Sequence, residues 1–162
     1  MISIKEKINI KADLNTIWAF LVDFSQSLGF NRFHQSLDLP PDYSIGKMDT
    51  FIIHHNFGFG SYEMVAEIKE CIPPRKLVIS EFCQESSERG FPHQMEFNIN
   101  NKNNLSELIY QVKGTYGNRV SDISFKPILK SIMKEELIKI KNAIESSEIN
   151  GEIISTETFR PI

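Results

Sequence analysis

Apolar and polar residues alternate from the second position of the chain onward. Ile2, Ile4, Ile8 and Ile10 all fall on even positions of residues 2–11, which predicts a strand with one buried face. After Asp13 the spacing lengthens. Leu14, Ile17, Trp18, Leu21 and Phe24 recur at intervals of three and four, predicting an amphipathic helix over about 14–24 with Asp13 as its N-cap. Ser25 is placed to cap a second short helix ending near Phe33, and 34–39 is a candidate short strand. Pro40, Pro41 and Gly46 then mark loop and turn.

From Lys47 to Tyr116 the pattern predicts strands over 47–56, 60–72, 76–84, 92–100 and 105–116. They are separated by Phe-Gly-Phe-Gly at 57–60, Pro73-Pro74, Gly90 with Pro92, and Asn-Lys-Asn-Asn at 101–104. A long helix follows over about 120–147. Its stripe is Ile128, Ile132, Leu137, Ile140 and Ile144, broadened by Phe125, Leu129 and Met133, with Pro127 opening or kinking it. Residues 151–162 show no clear period and read as a tail beyond a single domain at 1–150.

Consecutive strands with short connections pair antiparallel. A sheet that long has one apolar face, and one long helix must cover it. The expected fold class is therefore α+β: a curved antiparallel sheet of six to seven strands wrapped around a long C-terminal helix, with two short helices after the first strand.

Local motifs agree with this arrangement. Ile8-x-Ile10-x-Ala12-Asp13-x-x-x-Ile17-Trp18-x-x-Leu21-x-Asp23-Phe24 resembles the strand and following helix of the START/Bet v 1-like (SRPBCC) superfamily. Ile45-Gly46 before a strand and Ile72-Pro73-Pro74-Arg75-Lys76-Leu77 at a hairpin support the resemblance, which covers residues 2–147. Many relatives carry an aromatic after the second helix, where this chain has Phe30 and Phe33. The resemblance implies the helix-grip fold, most similar to the polyketide cyclase/dehydrase-like branch, with an internal cavity. The superfamily contains carriers, receptors and enzymes, so the fold alone leaves the function open.

Length and composition fit one folded unit. The 162 residues suffice for a core without staples. Twelve Phe supply either a thick core or a lined cavity. A net charge of −3, with Lys126, Lys130, Lys134, Lys139 and Lys141 interleaved with Glu, offers no basic face for nucleic acid. The first residues carry no apolar signal region, and the run from Ile17 to Val22 is far short of the roughly 20 residues that cross a bilayer. A cytoplasmic location without membrane insertion is expected, with Cys71 and Cys83 reduced.

Turn positions predict which side chains share the concave face. Centring the 57–60 loop pairs His55 with Tyr62, Ile53 with Met64, Phe51 with Ala66 and, on the other face, His54 with Glu63. With Pro74-Arg75 as the next turn, Ile68 faces Glu81, Glu70 faces Ile79, Ala66 faces Cys83 and Cys71 faces Val78. The two cysteines are then roughly 16 Å apart, too far for a disulfide. A loop at 101–104 pairs Phe97 with Leu108, Met95 with Tyr110, Asn98 with Glu107 and Glu96 with Ile109. The inferred concave set is Phe51, Ile53, His55, Tyr62, Met64 and Ile68, then Ile79, Glu81, Met95 and Phe97, then Leu108, Tyr110 and Val112. Ile132, Met133 and Ile140 of the helix face them.

The lining has four polar members: His55, Tyr62, Glu81 and Tyr110. Such groups orient a ligand or move its protons. Each also has a plain structural role: His55 as a solvated rim residue, Glu81 turned outward by a single bulge, the tyrosines as core rings. His34 and His93 sit near element ends with nothing nearby to mark them.

No close metal-ligand spacing, Gly-rich phosphate loop or nucleophile elbow is present, so neither metal nor cofactor is expected and the catalytic residues are open. The leading expectation is a binder or carrier of a small hydrophobic molecule (lipid, polyketide or isoprenoid-like), entered near the second helix and the 57–60 turn. A cyclase, dehydratase or hydrolase using His55 or Glu81 for proton transfer, with Tyr62 or Tyr110 on a carbonyl, is the first alternative. A protein-interaction module with a filled interior is the second.

Overall fold

Seven strands follow the predicted pattern: β1 (Ile2–Ile10), β2 (His34–Asp38), β3 (Thr50–Asn56), β4 (Ser61–Ile72), β5 (Lys76–Cys83), β6 (His93–Lys102) and β7 (Leu105–Gly114). Helices α1 (Leu14–Val22) and α2 (Phe24–Ser27), with a 3-10 turn at Leu28–Phe30, lie between β1 and β2, and α3 (Arg119–Glu157) ends the order. The computed structural model describes residues 1–45, 49–57, 60–84 and 90–157, with side chains through residue 147. Gly46, the start of the predicted strand at 47, Gly58 and Phe59 of the predicted turn, and the last residues of the predicted tail (158–162) lie outside the described residues.

The strands form one antiparallel sheet in the order β1-β7-β6-β5-β4-β3-β2, curled around α3. Closing β1 onto β7 brings Ile4 opposite Val112 and Ile8 opposite Leu108. The single apolar face of every strand thereby turns to a common interior, which α1 and α3 cover. Asp13 caps α1 as expected, its Oδ1 accepting from Thr16 N at 2.8 Å. The second helix starts two residues earlier than a Ser25 cap implies, at Phe24, because Asp23 takes the N-cap position. Asp23 gathers Ser25 Oγ and Gln26 Nε2 on its carboxylate, each at 2.5 Å.

The β3–β4 register is the expected one, with His55 opposite Tyr62 and Phe51 opposite Ala66. Two hairpins differ. Between β6 and β7, Phe97 faces Tyr110 and Met95 faces Val112, two residues away from the expected pairing. The strands run on to Lys102 and Leu105, leaving Asn103 and Asn104 as a two-residue turn, and Asn103 takes the left-handed conformation at φ 56°. Between β4 and β5, Glu81 faces Ala66 instead of Ile68, Ile68 faces Ile79, and Cys71 faces Leu77. Here the loop holds Pro73, Pro74 and Arg75 in place of two residues, and a bulge beside Lys69 adds a second one-residue offset. Between the loop and the bulge the β4–β5 offset is one residue; beyond the bulge, and throughout β6–β7, it is two, so there the inward side chains stay inward. Cys71 and Cys83 are free thiols.

On α3 the buried stripe is Leu129, Ile132, Met133, Glu136, Leu137, Ile140 and Ile144. Ile128 was expected in it but stands half in solvent, one position round the helix from Leu129. Pro127 lies inside the helix, not at its opening. The helical backbone continues past residue 147 to Glu157.

Candidate buried histidine–glutamate site

Four ionisable residues meet at one end of the concave face, each delivered by the end of a strand. His55 is the penultimate residue of β3, Glu81 lies late in β5, and His93 and His34 open β6 and β2. Register brings them together: Glu81 is the pairing partner of His93, and His34 that of His55. His55 is 2% exposed and Glu81 1% exposed, so both are removed from water.

The contacts fix much of the proton arrangement. His55 Nε2 donates to Glu81 Oε2 at 2.7 Å. His93 Nε2 stands 3.8 Å from the other carboxylate oxygen, Oε1. His34 Nδ1 donates to the Leu28 carbonyl at 2.7 Å, and His93 Nδ1 to the Phe91 carbonyl at 2.6 Å. A carbonyl can only accept, so both rings carry hydrogen on Nδ1 and turn Nε2 inward. The His34 and His55 rings meet edge to face with centroids 4.6 Å apart, and Phe57 stacks on His55 at 4.9 Å. Among the described residues, His55 Nδ1 and Glu81 Oε1 are buried without a hydrogen-bond partner.

Burial opposes charge on His34, His93 and Glu81. It pushes His34 down to about 4, against the attraction of Glu81, and it also lowers His93. For Glu81 burial works upward, but the surrounding imidazoles, His93 first and the His55 hydrogen bond next, outweigh it and hold the carboxyl at about 2. One carboxylate is thus maintained inside an otherwise apolar interior.

A second polar group sits deeper, under α3. Glu136 is 1% exposed, with Asn31 Nδ2 donating to its Oε2 at 3.4 Å and its Oε1 unpartnered among the described residues. Burial and the negative Glu81 raise Glu136 to about 8, so it is mainly protonated at neutral pH. Tyr110 lies between these regions. Its hydroxyl donates to Met95 Sδ at 3.4 Å, and burial, then Glu136, raise its pKa well above the usual value.

The remaining expected lining residues occupy this same interior. Ile53, Met64, Met95, Phe97, Ile132 and Met133 are all buried there, and Phe97 stacks on Tyr110 with centroids 4.4 Å apart. Phe51 faces inward too but packs on Phe24 at 4.9 Å, away from His55 along β3. Tyr62 is half-buried and borders a cleft of about 410 Å3 with Ile52, Ser61, Glu63, Val65 and Cys83. His34, His93, Asn31 and Glu136 escaped the sequence reading. Glu136 alone left a legible signal, since it occupies the i+3 and i−4 places of Met133 and Ile140 on the apolar stripe.

No family model and no curated protein matches the chain. Solved structures do. A conserved protein from Geobacillus kaustophilus matches with a TM-score of 0.68 at 19% identity, over 90% of this chain and 97% of its own. The di-domain ARO/CYC StfQ from the steffimycin biosynthetic pathway matches with a TM-score of 0.67 at 11% identity, over 91% of this chain and 51% of its own. The Aha1 dimer from Colwellia psychrerythraea gives 0.62 at 15%, over 90% and 97%. Topology, curl and these likenesses agree on the fold: a curled antiparallel sheet gripping a long C-terminal helix, the helix-grip arrangement that the START/Bet v 1-like resemblance implies.

Proposed function

We propose that this domain binds a small, mostly apolar molecule carrying one polar group, with the apolar body inside the grip and the polar group against His55 and Glu81. The observation that carries this reading is a pair of polar atoms, His55 Nδ1 and Glu81 Oε1, that have no hydrogen-bond partner among the described residues inside a largely apolar interior. Each orphaned group costs about 1–3 kcal/mol of folding stability. A ligand hydroxyl or carbonyl would supply the missing bonds. Met64, Met95 and Met133 line the same interior, and their flexible thioethers can yield space to an entering molecule. The likeness to an ARO/CYC chain fits a ligand of polyketide or similar character.

Native mass spectrometry of the purified chain, with extraction of anything bound, tests this directly. A co-purifying apolar molecule whose retention drops in His55→Ala and Glu81→Gln supports the reading. A protein that is empty and also leaves a hydrophobic fluorescent probe unbound sinks it and favours a filled interior.

The 2.7 Å hydrogen bond between His55 and Glu81 favours a second reading, in which the bound molecule is also transformed. A carboxylate that orients an imidazole prepares it to take a proton from a substrate and return it elsewhere. If the wild type leaves the extracted compound unchanged, that reading fails while the binding one survives; turnover at an equal rate by Glu81→Gln removes the pair from the chemistry.

A further inference from the structure

The four-residue cluster has a property that neither ligand binding nor proton transfer requires. His34, His55 and Glu81 each present one donor atom, and these three atoms lie within 4.8 Å of one another. Two features separate this group from a chance meeting of polar side chains. First, His55 and Glu81 are fully buried, and among the described residues each keeps a donor atom without a protein partner. Second, the rings of His34 and His93 are each held from behind by a backbone carbonyl, Leu28 and Phe91, at 2.7 and 2.6 Å. That contact fixes the tautomer with Nε2 bare and inward, which is how metal-ligating imidazoles are oriented by their outer partners.

We infer that the cluster is a metal site, in which His34 Nε2, His55 and Glu81 hold a divalent first-row transition ion such as Zn2+, with His93 beside Glu81 as a further donor. The donor chemistry selects the class of ion. Two or three imidazoles and one carboxylate suit zinc and its neighbours, whereas calcium and magnesium take oxygen sets and copper(I) takes sulfur. Neither free cysteine belongs to the group. In loading, the ion takes the place of the hydrogen that His55 Nε2 now shares with Glu81, and that hydrogen moves to His55 Nδ1, so the ring binds as a neutral imidazole. The bound ion then also engages the carboxylate of Glu81, whose Oε1 has no hydrogen-bond partner among the described residues, and it would sit at the polar end of the interior.

The test uses the full chain stripped by a chelator and titrated with Co2+, then with Zn2+. One equivalent of Co2+ is expected to bind, with the visible absorption of an ion in a nitrogen and oxygen site, and Zn2+ is expected to displace it. Losing outer-shell partners alone costs metal sites roughly 10–100-fold in affinity, so His34→Gln, His55→Gln and Glu81→Gln should each weaken binding about tenfold or more. His54→Ala, one residue from His55 but on the outer face, should bind like the wild type. X-ray absorption of the zinc-loaded wild type should count at least two imidazoles, and it decides the matter if a variant does not fold. Absence of stoichiometric binding, fewer than two imidazoles, or three folded variants with unchanged affinity would overturn the inference. Because the probe is the metal alone, its failure leaves the apolar-ligand reading intact.

Discussion

The concave face has two ends built on opposite terms. At one end Ile99 and Leu108 face each other across β6 and β7, Ile8 lies opposite Leu108 on β1, and Leu77 pairs with Phe97. Every one of these side chains is apolar, and their removal from water drives folding at about 25 cal/mol per Å2. At the other end His34, His55, Glu81 and His93 crowd into the same sheet, with the same pleat and the same helix above it. There burial works against the charged groups, and among the described residues His55 Nδ1 and Glu81 Oε1 have no hydrogen-bond partner. The contrast separates what favours the fold from what the fold carries: burial stabilises the first end, and the second persists despite its energetic cost.

The largest effect should come from breaking the apolar end. Leu108→Ala opens a cavity under β7 at a fully buried position and should lose about 2–5 kcal/mol in urea unfolding. A smaller change of opposite sign should come from erasing the polar end. Replacing His55 and Glu81 together by Leu, in metal-free protein, removes a buried pair rather than half of one. Stability should hold or rise by up to about 1–4 kcal/mol while ligand and metal binding vanish. A loss as large as that of Leu108→Ala would mean that the pair is structural, and the contrast between the two ends would collapse.

Glu136 sharpens the comparison by pH. Its folded-state value of about 8 exceeds the ordinary 4.5, so the native state holds a proton that the unfolded chain has released. That contribution to stability therefore falls as pH rises between those two values. Glu136→Gln should flatten the decline in urea midpoint over this window and gain roughly 1–3 kcal/mol near pH 8. An unchanged pH profile would show that water reaches Glu136.

How far the sequence could be read follows the lengths of its turns. Between β3 and β4 the loop was placed correctly, and every pairing from Phe51 to His55 follows from it. The 101–104 turn was read as four residues where two suffice, and the register moved by two. Both errors preserve the inward face, which is why His55, Glu81 and Tyr110 were legible as interior groups. The meeting of His55 with Glu81 was not, since it depends on how strongly the sheet curls. His93 was illegible for another reason. The long connection between β5 and β6 sets no register, so nothing in the order of residues announces that His93 lies opposite Glu81. His34 joins through a strand that itself carries a bulge.

The irregularity beside Lys69 has a consequence for how this chain can change over generations. The three-residue loop after Ile72 and the extra residue beside Lys69 each offset the alignment by one, and only together do they leave Met64 and Ala66 facing the helix. A single deletion anywhere from 69 to 75 would turn the inner half of β4 toward solvent and carry His55 with it through β3. Insertions and deletions in this hairpin should therefore survive in compensating pairs, so that segment lengths among distant relatives differ here by even steps.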